Sequence, residues 1–173
     1  MWKLILVLLA AILYISYNVI VLALFGVPYS LSQTYYLFKE YKDKLRFMFP
    51  LMMIGIALLL LPAWIELSIG SPFQFTVFLA CIGLIYTGMV PAFRNGNFEN
   101  IVHTTSAYLA VVMSFIWIIA LTNFWYIILI WGGIVGILGL LFKVWRSSYT
   151  YLLESIAIFA SLTTIILYAI KML

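Results

Sequence analysis

The chain has 173 residues, of which 67% are hydrophobic and 8% charged, with a net charge of +4 and a mean hydropathy of +1.21. Soluble domains carry about 25% charged residues, so this composition excludes a water-soluble globular domain and leaves lipid as the solvent. The positive balance then reads as orientation charge beside anionic lipid, with no nucleic-acid partner.

The apolar runs are continuous rather than alternating, which excludes a transmembrane β-barrel. Backbone groups in lipid must then be satisfied within helices, so the expected fold is all-α: one polytopic transmembrane domain over residues 1–173. Each span needs about 20 apolar residues. The first runs from about Leu4 to Leu24 and is read as a retained anchor, being longer than a signal-peptide core of about 7–15 residues.

Gly26-Val27-Pro28 bends the chain out of that span. The stretch from Gly26 to Phe47 then holds six of the fourteen charges. Taken as a helix over 30–46 capped by Ser30 or Ser32, it places Leu31, Tyr35, Phe38, Tyr41 and Leu45 on one face. Lys39, Glu40, Asp43, Lys44 and Arg46 fill the rest, with Glu40 to Lys44 in the favoured i, i+4 order. This is the pattern of a short amphipathic helix in the headgroup plane, aromatic face toward the membrane. Tyr35, Lys39, Lys42, Lys44 and Arg46 form the candidate lipid or partner surface; the alternative is a connector that only sets topology.

The second span runs from about Phe47 to Glu66, with Pro50 and Pro62 near its ends. Glu66 at its outer end is expected to be solvated. The third begins at Ser71-Pro72-Phe73-Gln74, a helix-start pattern, and ends near Pro91. Cys81 within it, the single cysteine, excludes an intrachain disulfide and is expected to pack. The fourth begins at Asn97 and ends near Leu121. Thr122-Asn123 is a short turn into the fifth, Phe124 to Leu141, where Gly132, Gly136 and Gly139 share a face and predict a close helix contact within the chain or between subunits. The sixth runs from about Tyr149 to Ile170.

Six spans place Lys39, Lys42, Lys44, Arg46, Arg94, Lys143 and Arg146 in loops one, three and five, against Lys3 and Lys171 on the other side. The positive-inside rule puts those three loops in the cytoplasm, and the expected location is a bacterial inner membrane. Trp2, Trp64, Trp125, Tyr126 and Tyr168 fall at the outer boundary, and Tyr35, Tyr36, Tyr41, Trp145 and Tyr149 at the inner one, as two interfacial belts.

Ionisable groups inside lipid are costly and mark candidate sites. Glu154 stands inside the sixth span, after Lys143 and Arg146. Glu99 and His103 are four apart on one helix face, a spacing that suits a carboxylate orienting an imidazole. If Arg94, Glu99, His103 and Glu154 converge, they form a polar ligand-binding cleft. Asn18 is expected to make an interhelix hydrogen bond. With one histidine and no cysteine pair, no metal or haem site is expected. No catalytic residue and no cofactor are assigned, and no nucleophile or phosphate-loop signature is present.

The pattern Gly26-x-Pro28-x-Ser30-x-Ser32-x-x-Tyr35-Tyr36 followed by Arg46, with Val102-His103-x-x-x-Ala107 opening the fourth span, resembles small six-helix bacterial membrane proteins. These are in turn similar to the DRAM and FGF-receptor-activating-protein group. About ten residues carry the resemblance over most of the chain. Gln33-Thr34 stands where that group has an acidic residue, and an N-terminus inside, expected of its eukaryotic members, opposes the charge count here. The resemblance implies a membrane-embedded helical bundle linked to lipid handling or scaffolding. The leading expectation is thus a non-enzymatic subunit of a membrane complex or lipid-interacting scaffold, with membrane lipids and a membrane protein or second copy as partners. The alternatives are a small transporter or channel lined by Asn18, Tyr86, Ser106, Tyr108 and Ser114, and a lipid-acting enzyme using Glu99, His103 and Glu154.

Overall fold

The computed structural model describes residues 1–143 and 147–173, and of Trp145 and Arg146 the backbone alone. The belt position expected of Trp145 and the charge of Arg146 therefore lie outside the described residues. The described chain is helical, with no strand: α1 (Trp2–Phe25), α2 (Thr34–Tyr41), α3 (Met48–Leu67), α4 (Gln74–Met89), α5 (Asn97–Leu121), α6 (Tyr126–Leu141) and α7 (Trp145–Lys171).

Four helical stretches are long and apolar enough to cross a membrane: Trp2–Phe25, Asp43–Leu67, Asn97–Leu121 and Ser147–Lys171. This is consistent with an integral membrane protein. The remaining two apolar helices, α4 and α6, have 16 residues each. At about 1.5 Å per residue they rise about 24 Å, short of the ~30 Å hydrocarbon core.

Helix α3 is the central element, packed on α1, α4, α2 and α7; α5 lies on α4, and α6 on α7. The core is apolar and aromatic, with Tyr14, Phe38, Phe49, Trp64 and Trp117 almost wholly buried. Small residues set the closest helix approaches. A Cβ at Gly83 would sit 2.6 Å from the Ser106 carbonyl and 2.8 Å from the Ala110 nitrogen, so α4 and α5 touch backbone to backbone there. On α6 the within-chain form of the expected glycine contact is not made at two of the three positions. Gly139 is buried, but a Cβ at Gly132 or Gly136 would meet nothing within 4 Å. Those two glycines make no close helix contact within the described chain.

The two prolines of α3 differ in what their missing donors cost. Pro50 occupies the first turn of α3, where N–H groups lack intrahelical acceptors. Pro62 lies inside the helix, five residues before its end. Ser71 accepts a hydrogen bond from the Phe73 amide at 3.1 Å and so terminates the preceding turn, with α4 beginning at Gln74. Cys81 is buried and unpaired. Glu66 keeps a partly exposed side chain, as expected, and pairs with Lys3 at 3.6 Å, linking the start of α1 to the end of α3.

The segment 30–46 is not one interfacial helix. Residues 31–33 form a turn, α2 spans eight residues, Lys42 is extended, and Asp43–Phe47 is a 3₁₀ turn. Of the apolar stripe read from the sequence, Leu31 and Phe38 face protein, Tyr35 and Leu45 are half-buried and Tyr41 is exposed. Leu31 and Phe38 are buried, and the Phe38 ring lies 5.2 Å from Phe25 and 5.9 Å from Tyr17 of α1. Burying the ring on a neighbouring helix gains an edge-on and a tilted aromatic contact.

Candidate functional site

A buried turn clamped between three helices

Helix α1 ends at Gly26, whose φ of +70° is a left-handed backbone that a side chain would resist. Pro28 then cannot donate to a helix, so the chain leaves α1 and re-enters the bundle as a turn at 29–33. Ser30, Leu31, Ser32 and Thr34 are all buried. Each backbone group placed there needs a partner, and the surrounding helices supply them.

Helix α7 contributes three. Its backbone breaks at Ser148, which has non-helical angles (φ −137°, ψ 23°). The break frees the Tyr151 amide from its usual acceptor four residues back, and that amide donates to the Tyr29 carbonyl at 3.0 Å. The Ser148 hydroxyl donates to the Val27 carbonyl at 3.3 Å. One turn on, the Glu154 carboxylate accepts from the Leu31 amide at 2.6 Å. The buried Leu31 amide is thereby satisfied by a side-chain oxygen from another helix.

Helix α5 contributes His103. Its Nδ1 lies 2.8 Å from the Val90 carbonyl and its Nε2 lies 2.7 Å from the Ser32 hydroxyl. A carbonyl only accepts, so Nδ1 carries a proton, and in the neutral ring Nε2 accepts from Ser32. The ring also stacks on Phe93 at 4.8 Å. Helix α1 contributes Tyr17, whose hydroxyl is hydrogen-bonded to that of Thr34. Beside it, Tyr151 donates to the Asn18 side-chain carbonyl, and the Asn18 amide donates to the Tyr14 carbonyl at 2.8 Å. Asn18 thus makes the interhelix bond that its place in the first span suggests.

The four candidates for a polar cleft divide. His103 and Glu154 reach adjacent residues of one turn, Ser32 and Leu31. Glu99 does not join them. It is the third residue of α5, and its carboxylate folds back over Gly96 at the helix start, where it complements the exposed amides and the positive end of the helix dipole. It does not orient His103, whose two ring nitrogens are taken by Val90 and Ser32. Arg94 also stays outside: its guanidinium lies over the Tyr36 ring at 4.7 Å, a cation–π contact, and its backbone amide donates to the Tyr36 hydroxyl at 2.8 Å.

The residues proposed to line a polar path are scattered. Tyr86 and Tyr108 are exposed and face away from the bundle. The Ser114 hydroxyl donates to the Ala110 carbonyl of its own helix at 2.7 Å. No group of three or more histidine, cysteine or acidic side chains is placed to hold a metal ion among the described residues.

The turn's partners Ser32, Thr34, Tyr17 and the Val90 carbonyl were not legible as site residues. The one available signal was the co-occurrence of the Pro28–Ser32 pattern and the Val102-His103 stretch, which meet here through Ser32 and His103. No family model, curated protein or solved structure matches the chain.

Proposed function

We propose that the chain is a six-span inner-membrane protein acting as a non-enzymatic, lipid-interacting scaffold, with α4 and α6 crossing as short or tilted spans and loops one, three and five in the cytoplasm. The observation that carries this reading is the clamped turn. Its buried polar groups are spent on each other, and what they hold in place is α2 and the basic segment that follows. Lys39, Lys42 and Lys44 are exposed and Arg46 is half-buried. Glu40 and Asp43 offset two of these four charges, and Asp43 pairs with Arg46 at 3.2 Å. Two net positive charges remain, each worth about 1 kcal/mol beside an anionic leaflet. Arg94, stacked on Tyr36, extends the same face. The resemblance to the DRAM group is carried within this proposal as a link to lipid handling.

The test is the combined Lys39→Gln, Lys42→Gln, Lys44→Gln, Arg46→Gln variant in bilayers containing spin-labelled phosphatidylserine. The wild-type chain immobilises the anionic lipid in preference to phosphatidylcholine. The variant loses most of that preference. Equal selectivity in both proteins would refute the surface as the working face.

A second reading is favoured by one distance. Ser32 and His103, 2.7 Å apart with Val90 orienting the ring, match a nucleophile with its base and orienter. An acyl-transfer enzyme on this pair would be labelled by a fluorophosphonate, and the label would vanish in Ser32→Ala. An unlabelled wild-type chain removes this reading.

A further inference from the structure

We propose that the cleft between α3, α5 and α7 binds one acyl chain of a membrane phospholipid, with the ester carbonyl accepting a hydrogen bond from Trp64. The proposal deepens the lipid-interacting reading by naming a site and a ligand class, and it rests on that reading.

About three turns of α3 form the floor, from Met53 through Ile56 and Leu60 to Trp64. Val111 of α5 and Ile158 of α7 form the two walls, both half-buried, so the cleft opens toward lipid between those helices. Two polar side chains on the walls are already committed. Ser114 donates to the Ala110 carbonyl at 2.7 Å and Ser161 to the Ala157 carbonyl at 2.8 Å. The lining therefore offers hydrocarbon over most of its length.

The exception is Trp64. It is 1% exposed, and its indole N–H has no hydrogen-bond partner. Its neighbour Trp117 shows what a satisfied indole looks like in this bundle: that N–H donates to the Ser68 hydroxyl at 2.7 Å. A buried donor without an acceptor is costly, so the chain by itself leaves this end of the cleft incomplete. An oxygen acceptor attached to an apolar chain would satisfy both the donor and the apolar lining.

Dimensions fix the class. From Met53 to Trp64 the helix rises about 16 Å at ~1.5 Å per residue. Half of a ~30 Å hydrocarbon core is ~15 Å. Trp64 lies one turn inside the C-terminal end of α3, close to the depth of an interface, where the ester carbonyls of a leaflet lie. A chain anchored there lies along Leu60 and Ile56 over the depth of one leaflet, seated in the mouth of the cleft. A free fatty acid has the same chain but would bring an ionised carboxylate to a site with no cation among its lining residues. The phospholipid ester is neutral at that point.

The experiment uses the full chain in nanodiscs with a phosphatidylcholine carrying a diazirine midway along one acyl chain. Crosslinks are expected on the peptides holding Met53, Val111 and Ile158. Trp64→Phe keeps the ring and removes the donor, and lowers labelling roughly two- to tenfold. Val111→Trp fills the mouth and abolishes it; Ile158→Phe, on the opposite wall, is the alternative if the first variant does not fold, as judged by protection of the Cys81 thiol. Labelling confined to other helices, or unchanged in both the donor and the wall variants, overturns the site. Stronger competition by hexadecanoic acid than by unlabelled phosphatidylcholine overturns the phospholipid assignment. The combined Lys39→Gln, Lys42→Gln, Lys44→Gln, Arg46→Gln variant keeps full cleft labelling, so failure of the basic surface and failure of the cleft are read separately.

Discussion

His103→Phe isolates the hydrogen bonds that hold the turn from the packing around them. The phenyl ring is somewhat larger than the imidazole but keeps a flat aromatic ring to stack on Phe93, 4.8 Å away. It removes the bonds to Val90 and Ser32, made at 2.8 and 2.7 Å. His103 and Ser32 are both buried, at 5% exposure each, so water does not replace the lost partner. Leaving a buried acceptor and a buried hydroxyl unpaired costs about 1–3 kcal/mol each. The Ser32 hydroxyl can rotate to a local carbonyl and recover part of this, which places the expected loss at about 2–4 kcal/mol. For a chain of this size that corresponds to a fall in Tm of roughly 5–15 °C. Cys81 supplies the assay, being the single cysteine and buried in α4: a fluorogenic maleimide reacts only as the bundle opens. Ser32→Ala should cost less, and the double variant should fall short of the sum, because both changes break the same link. A melting curve of His103→Phe superimposable on wild type would refute the clamp.

Glu154→Gln retains an acceptor for the Leu31 amide and is expected to shift stability by less than about 1 kcal/mol, whereas Glu154→Ala leaves that amide unpaired and costs about 1–3 kcal/mol; hydrogen exchange at Leu31 should accelerate only in the alanine variant. Tyr151→Phe removes the donor to Asn18 and should cost about 0.5–1 kcal/mol, in line with interhelix bonds in membrane proteins, measured by the same thiol-protection melt. Gly83→Ala forces a Cβ against the α5 backbone at Ser106 and Ala110 and is expected to destabilise by about 1–3 kcal/mol. Gly132→Ala and Gly136→Ala, with open space at both positions, should stay within about 0.5 kcal/mol. A large loss in these two would mean that another chain packs there.

The helices were legible because lipid imposes a strong, one-dimensional signal: a run of apolar residues ended by Gly26, Ser71, Asn97 or Thr122 can be little else. The ends agree with the observed elements within a few residues. The amphipathic stripe of 30–46 was legible as a pattern but not in its destination, since periodicity reveals that Leu31 and Phe38 share a face without revealing whether lipid or α1 lies opposite. The site was harder still. His103 and Glu154 stand out as ionisable groups inside apolar runs, but their partners are a backbone amide, a backbone carbonyl and a serine hydroxyl. Such groups carry no compositional signal, and their separation along the chain, from Leu31 to Glu154 or Ser32 to His103, hides them from any local reading. Glu99 was drawn to His103 by its i, i+4 spacing, while the competing demand of the α5 start took its carboxylate. The close backbone approach falls at Gly83 rather than at Gly132 or Gly136. A GxxxG motif is visible in sequence, whereas a single glycine opposite Ala110 on another helix is not.

Gentle extraction in native lipid, followed by mass measurement of the intact particle, tests the central claim most directly. A lipid-interacting scaffold should leave the membrane with phospholipid bound, enriched in anionic head groups, and should lose that enrichment when Lys39, Lys42, Lys44 and Arg46 are replaced by glutamine. A particle that emerges free of phospholipid, or that retains a small polar molecule in its place, would contradict it.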